Sequence, residues 1–282
     1  MGANREYKDT LFTKLFSENS RLRELYNALA DTNYGKDTPI EINTLDNVFI
    51  SGLKNDVSFI IDGKSVVLVE HQSTISENMP LRLLMYIARV YEKLTTGRSI
   101  YRENLIKIPT PEFIVLYNGV KPFPPKKMLR LSDAFIAEVK PPESFGGLDL
   151  TVKVVNINPD GNKELLSKSE TLNGYSVFVE RVRYNEKVLK MELEDAINEA
   201  VKWCIKEGVL PEFLEQYGSE VQNMLLEEFK IDIAKEVWQE EALLEGMIAV
   251  AKSMLSDGEP VEKIMRHTGL TREKIEKLRE TE

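Results

Sequence analysis

Two strongly apolar stretches, NDVSFII (55–61) and SVVLVEHQ (65–72), are separated only by Asp62-Gly63-Lys64. So short a break between runs rich in β-branched and aromatic residues predicts an antiparallel hairpin. The hairpin folds its outer ends together, and those ends carry Asp56 and Glu70. Strand side chains alternate, so Val66, Leu68, Glu70 and Gln72 share one face while Val67, Val69 and His71 take the other. A two-residue type I′ turn at Asp62-Gly63 pairs Ile61 with Lys64 and sets Asp56 opposite Val69, on the wrong face for Glu70. A three-residue connection, or one β-bulge, shifts the pairing by one and sets Asp56 opposite Glu70.

Carboxylates brought that close repel unless a cation lies between them, and oxygen ligands suit Mg²⁺ or Mn²⁺. If the two share a face, the pair points to metal-dependent phosphodiester chemistry. If they do not, Glu70 reads as an ordinary solvated residue at a strand end, as most carboxylates are.

At 282 residues the chain can bury a large core, with a second smaller domain as the default. Its one cysteine, Cys204, excludes an internal disulfide and fits a reducing cytoplasm. No apolar run approaches the roughly 20 residues a membrane helix needs. The opening MGANREYKDT has no apolar signal core, and Glu6 departs from a myristoylation pattern. The net charge of −9 is unevenly spread: residues 1–140 balance at +2 and residues 141–282 at −11. The first half can therefore carry a basic surface beside an acidic site, which phosphate contacts require. A plain difference in surface charge between two domains explains the asymmetry equally well.

Periodicity predicts helix over 9–30, with a break at Ser17–Ser20, and a short strand within 40–50. Asn78-Met79-Pro80 opens a helix that stops near Gly97. Strands are expected at 113–117 and 151–157, with a proline-rich basic loop at 121–130 between them. From about residue 185 the pattern is helical: 186–207, 211–217, a long span near 220–256, and two short helices, 259–267 and 271–280. The expected domains are 1–184, a helical extension 185–256 and a C-terminal helical hairpin 257–282. The fold class is α/β (α+β), a mixed sheet core flanked by helices with an all-helical C-terminal extension.

Four stretches, NDVSF (55–59), VEHQS (69–73), MPLRLLMYIARVYEK (79–93) and PEFIVLYNG (111–119), together with the order of elements, resemble one branch of the PD-(D/E)XK nuclease superfamily. That branch is the recombination-promoting nuclease family, also described as putative transposases. The similarity covers roughly residues 9–180, and EKIMRHTGL (262–270) is similar to the ends of many such proteins. The resemblance implies a restriction-endonuclease-like core and a cytoplasmic, Mg²⁺- or Mn²⁺-dependent DNA endonuclease tied to recombination or transposition. It implies Asp56, Glu70 and Gln72 as catalytic residues, with the metal held by Asp56, Glu70 and the backbone carbonyl of His71. Gln72 stands where the superfamily has a lysine; an amide can hold a water but brings no positive charge. Lys54 could lend that charge, and Asp9, Glu18 or Glu24 could add a further carboxylate.

Phosphate contacts are expected from Lys121, Lys126, Lys127 and Arg130, because loops beside a site often carry binding. Arg82, Tyr86, Arg89 and Lys93 share one helix face and offer a second set, or merely a solvated basic face. The His71 side chain points away from Glu70 and reads as a packed or surface histidine. The terminal helical pair is spaced like a helix-turn-helix, yet Glu273, Glu276, Glu280 and Glu282 offset its basic residues. Packing or homo-oligomer formation fits the C-terminal helices better than base reading. The alternative to an enzyme is a nuclease-fold protein of weak or no activity that binds DNA or a partner.

Overall fold

The computed structural model describes residues 11–43, 56–98, 100–101, 103–136 and 147–280. Lys54 and Asp9 lie outside them. The chain opens with α1 (Leu11–Leu15) and α2 (Asn19–Ala30), separated at the expected break. Then come β1 (Ile40–Ile42), β2 (Val57–Ile61), β3 (Ser65–Gln72), α3 (Met79–Thr95), β4 (Thr110–Tyr117), β5 (Lys126–Arg130) and β6 (Thr151–Asn156). The described strands form one mixed sheet in the order β1-β2-β3-β4-β6-β5. β3, β4 and β6 run parallel; β1, β2 and β5 are antiparallel to their neighbours. The fold is thus mixed α/β.

The central strands are covered on both faces, which is why β2 and the body of β3 read as nearly unbroken apolar runs. One face carries Ile60, Val66, Leu68, Val115 and Val154 against Leu83, Tyr86, Ile87 and Val90 of α3. The other meets α1, α2 and α5 (Glu170–Lys187): Phe59 touches Tyr26, and His71 lies against Phe12 and Tyr175.

The connection between β2 and β3 has three residues, since Ile61 pairs with Ser65 and Val57 with Val69. Asp62 and Gly63 both take positive φ, 53° and 64°, as a type I′ turn demands. Lys64 is the extra residue. Its N–H bonds the Ile61 carbonyl, but its own carbonyl accepts from Thr110 at the start of β4, at 2.8 Å. The parallel neighbour therefore draws Lys64 out of the hairpin ladder.

Two expectations need correction. Residues 126–130 are an edge strand rather than loop. Leu129 is buried against the α3 side while Lys126, Met128 and Arg130 are exposed, a period-two pattern hidden by the prolines before it. Lysines on an edge strand also discourage pairing with another chain. The helical region begins well before 185. A short α4 (Lys163–Leu166) precedes α5, so a boundary at 184 cuts through α5. α6 (Leu193–Lys206) follows, and α7 (Pro211–Ser256) continues through Gly218 without interruption.

The chain divides into two compact units, 1–226 and 227–282. In the second, α8 (Val261–Thr268) and α9 (Arg272–Glu280) join through Gly269, at φ 71°. Ile264, Leu270 and Ile275 bury around Ala251. No described helix is long and apolar enough to cross a membrane.

Candidate active site

Carried one residue beyond Val57–Val69, the hairpin register sets Asp56 opposite Glu70, on the face that packs against α3. The backbones tie this in place reciprocally. The Asp56 N–H donates to Glu70 Oε1 at 3.2 Å, and the His71 N–H donates to Asp56 Oδ2 at 2.7 Å. Thr13 of α1 donates through its hydroxyl to the Asp56 carbonyl, anchoring the start of β2 from the opposite helix layer.

Glu70 is only 2% exposed. Burial, then the neighbouring Asp56 charge, hold its carboxyl well above the usual range; Arg82 and the Asp56 N–H oppose this in part. Arg82 donates to Glu70 Oε2 at 3.3 Å and to the Tyr86 hydroxyl at 3.2 Å. Its guanidinium thus reaches from a half-exposed position to a buried carboxylate. The Arg82 side chain is still 39% exposed, whereas Tyr86 lies in the core rather than on an outward face, which corrects that expectation for Tyr86. A positive charge from α3 thus sits against Glu70. Both readings place Arg and Tyr at i and i+4, so helical spacing alone could not separate them.

Gln72 follows on the same face, its amide nitrogen 2.8 Å from Met79 Sδ. The His71 ring takes the far face as expected, stacked on Phe12 and bonded through Nε2 to the Tyr175 hydroxyl at 3.1 Å. Of the auxiliary carboxylates, Glu18 lies 3.6 Å from Arg21. Glu24 accepts from the hydroxyls of Ser169 and Thr171 and from the Thr171 N–H, holding the N-terminus of α5. Among the described residues no group of three His, Cys, Asp or Glu forms a metal cage, so neither completes the pair.

The basic candidates are dispersed. Arg89 pairs with Glu92 at 2.7 Å and Lys127 with Glu77 at 2.6 Å. Lys126 and Arg130 are exposed on β5, and Lys121 is exposed beyond β4. Beyond β4 the chain turns through Asn118, whose side chain and carbonyl both accept from Arg183 of α5. This arginine was not singled out from the sequence; the Asn118-Gly119 turn marks the place but not its partner.

The donor set suits a hard divalent cation. Two carboxylates meet in register, and one is held above its ordinary ionisation range partly by the other's charge, a repulsion a bound cation relieves. No protein-family model, curated protein or solved structure matches the chain.

Proposed function

We propose that this protein is a divalent-metal-dependent endodeoxyribonuclease of the PD-(D/E)XK type, from the recombination-promoting branch that its motifs resemble. The observation that carries this reading is the three-residue connection, which brings Asp56 and Glu70 to one face of a buried hairpin. The mixed sheet, with α3 crossing from β3 to its parallel neighbour β4, agrees with a restriction-endonuclease-like core.

Asp56 and Glu70, with the His71 carbonyl, would hold Mg²⁺ or Mn²⁺. Such an ion, when bound, polarises a phosphate and lowers the pKa of water. The protein's own residues do the rest. The strand backbones fix both carboxylates, so little reorganisation accompanies reaction. Gln72 has an amide oxygen able to orient a water by accepting a hydrogen bond from it. Arg82 offsets negative charge from α3, the task a lysine at position 72 would perform. Met79 and Leu68 belong to the core on this face and Glu70 is only 2% exposed, a low-dielectric setting that strengthens each of these interactions.

The test is nicking of supercoiled plasmid by the purified chain. Wild type should cut with Mg²⁺ and stop with EDTA, and Asp56→Ala should lower the rate on the order of a thousandfold, the several kcal/mol a bound metal supplies. Equal cutting by Asp56→Ala would refute the assignment. One observation favours the alternative of a weakly active or inactive binding module: Arg82 already pairs with Glu70 and competes with a metal there. EDTA-sensitive cutting by wild type removes that alternative.

A further inference from the structure

At the carboxyl ends of β4 and β6 a cleft of about 790 Å³ opens among the β4–β5 loop, the turn after β6, α5 and α6. That is within the range of specific ligand sites. Lys121, Arg181, Arg183 and Lys187 line it, against two carboxylates, Asp160 and Glu180. Asp160 is further offset by Lys163 at 3.1 Å. The wall is therefore cationic although the chain as a whole is acidic.

Its aromatic content is equally specific. Arg181 lies over both the Trp203 ring, 4.7 Å from its centre, and the Tyr184 ring, at 5.2 Å. Its Nε is buried with no hydrogen-bond partner, and among the described residues no carboxylate pairs with it. Phe123 forms another part of the wall. A guanidinium held against two aromatic rings, with further cations at the rim, suits a ligand that offers both a π-face and a phosphate.

The cleft opens at the same end of the sheet as the carboxylates. Gln72, Tyr117 and Asn156 are paired in a row across β3, β4 and β6, and Asn156 lines the cleft. Two strand spacings, about 10 Å, separate the strand of Glu70 from that of Asn156. Phe123 borders both this cleft and the small recess at Gln72.

We propose that this cleft binds an unpaired stretch of nucleic acid, stacking a base on the Trp203–Arg181–Tyr184 layer with its phosphates on Lys121 and Lys187. The inference rests on the nuclease reading for its choice of ligand and narrows the substrate to nucleic acid with a single-stranded segment. Paired bases present no free face to such a layer, whereas an unstacked base does.

The experiment uses the full chain in EDTA, so that nothing is cleaved, with Trp238→Phe leaving Trp203 as the only tryptophan. The probe is a labelled twelve-residue oligothymidylate, followed by its anisotropy and by Trp203 emission, against the same strand in duplex and against thymidine monophosphate. The expected result is that the strand quenches Trp203 and binds about tenfold or more tighter than the duplex or the mononucleotide, a single stacked base being worth that factor. Tyr184→Ala and Lys187→Glu, both at exposed positions, should each weaken binding about tenfold with unchanged thermal unfolding. Equal affinity for duplex, quenching by the mononucleotide alone, or variants that bind like wild type would overturn the proposal. Strand binding with these dependences but no Mg²⁺-dependent nicking would leave the cleft standing and remove the hydrolytic reading. Nicking by wild type, with Tyr184→Ala and Lys187→Glu binding the strand undiminished, would do the reverse.

Discussion

Glu70 concentrates the conflict in this molecule: a carboxylate 2% exposed, beside a second carboxylate and one arginine. In the metal-free protein its raised pKa makes stability depend on pH with a definite sign. As pH climbs from the unfolded carboxylate value, the unfolded chain releases its proton first while the folded protein still holds one. Stability is then full below that value and declines until the folded pKa is passed. Glu70→Gln has no proton to lose, so its urea midpoint, followed from pH 4.5 to 7.5 in EDTA, should decline less. The difference approaches about 1.4 kcal/mol per pH unit, one proton's worth. Identical slopes would show that Glu70 ionises normally. Arg82 gives a companion prediction. Removing one partner of a buried pair costs about 3–5 kcal/mol, but the Arg82 side chain is 39% exposed and water screens the loss. Arg82→Ala should therefore destabilise by about 1–2 kcal/mol at pH 7.5, and added Mg²⁺ should recover part of that midpoint shift by taking over the charge on Glu70.

At the scale of elements, the turn after β4 is where backbones approach most closely. A Cβ on Gly119 would lie inside contact distance of the Ser73 carbonyl and the Tyr117 ring. Neither can yield cheaply, since Ser73 follows directly on β3 and Tyr117 is buried with its hydroxyl bonded to the Lys121 carbonyl. Gly119→Ala should cost about 1–3 kcal/mol in urea unfolding, as overpacked sites do. A variant as stable as wild type would mean that the turn is looser than described. The Asn118-Gly119 punctuation was readable from the residues alone, as were the hairpin and α3, because each combines strong periodicity with a turn or cap residue. α5 escaped notice for the opposite reason. It buries Thr171, Gly174, Ser176 and Asn185 beside Tyr175 and Phe178, so no clean apolar stripe shows. Its one local signal was Ser169, whose hydroxyl accepts from the Leu172 N–H as an N-cap. The hairpin register was legible only as a choice between faces, because what decides it, the bond from Thr110 to the Lys64 carbonyl, comes from a strand 46 residues further on.

At the scale of the whole molecule, basic residues in the C-terminal unit do not by themselves make it a second nucleic-acid surface. In α8 and α9, Arg272 pairs with Glu262 at 2.5 Å and lies 3.8 Å from Glu276, while Lys277 pairs with Glu273 at 3.0 Å. Both of these cations already have a carboxylate, so a phosphate would have to displace one and would release little counterion in doing so. The spacing of a helix-turn-helix is present without its electrostatics. If binding is instead centred on the first unit, removing a cation from α9 should leave the salt dependence of DNA affinity untouched. The decisive comparison is the slope of log affinity against log salt for wild type, Lys277→Ala and Lys187→Ala, measured in EDTA on one oligothymidylate. A lost phosphate contact lowers that slope by about 0.7 for single strands. Lys187→Ala should show the decrease and Lys277→Ala none. A reduced slope in Lys277→Ala would mean that its bond to Glu273 opens for phosphate and that the C-terminal helices take part in binding after all.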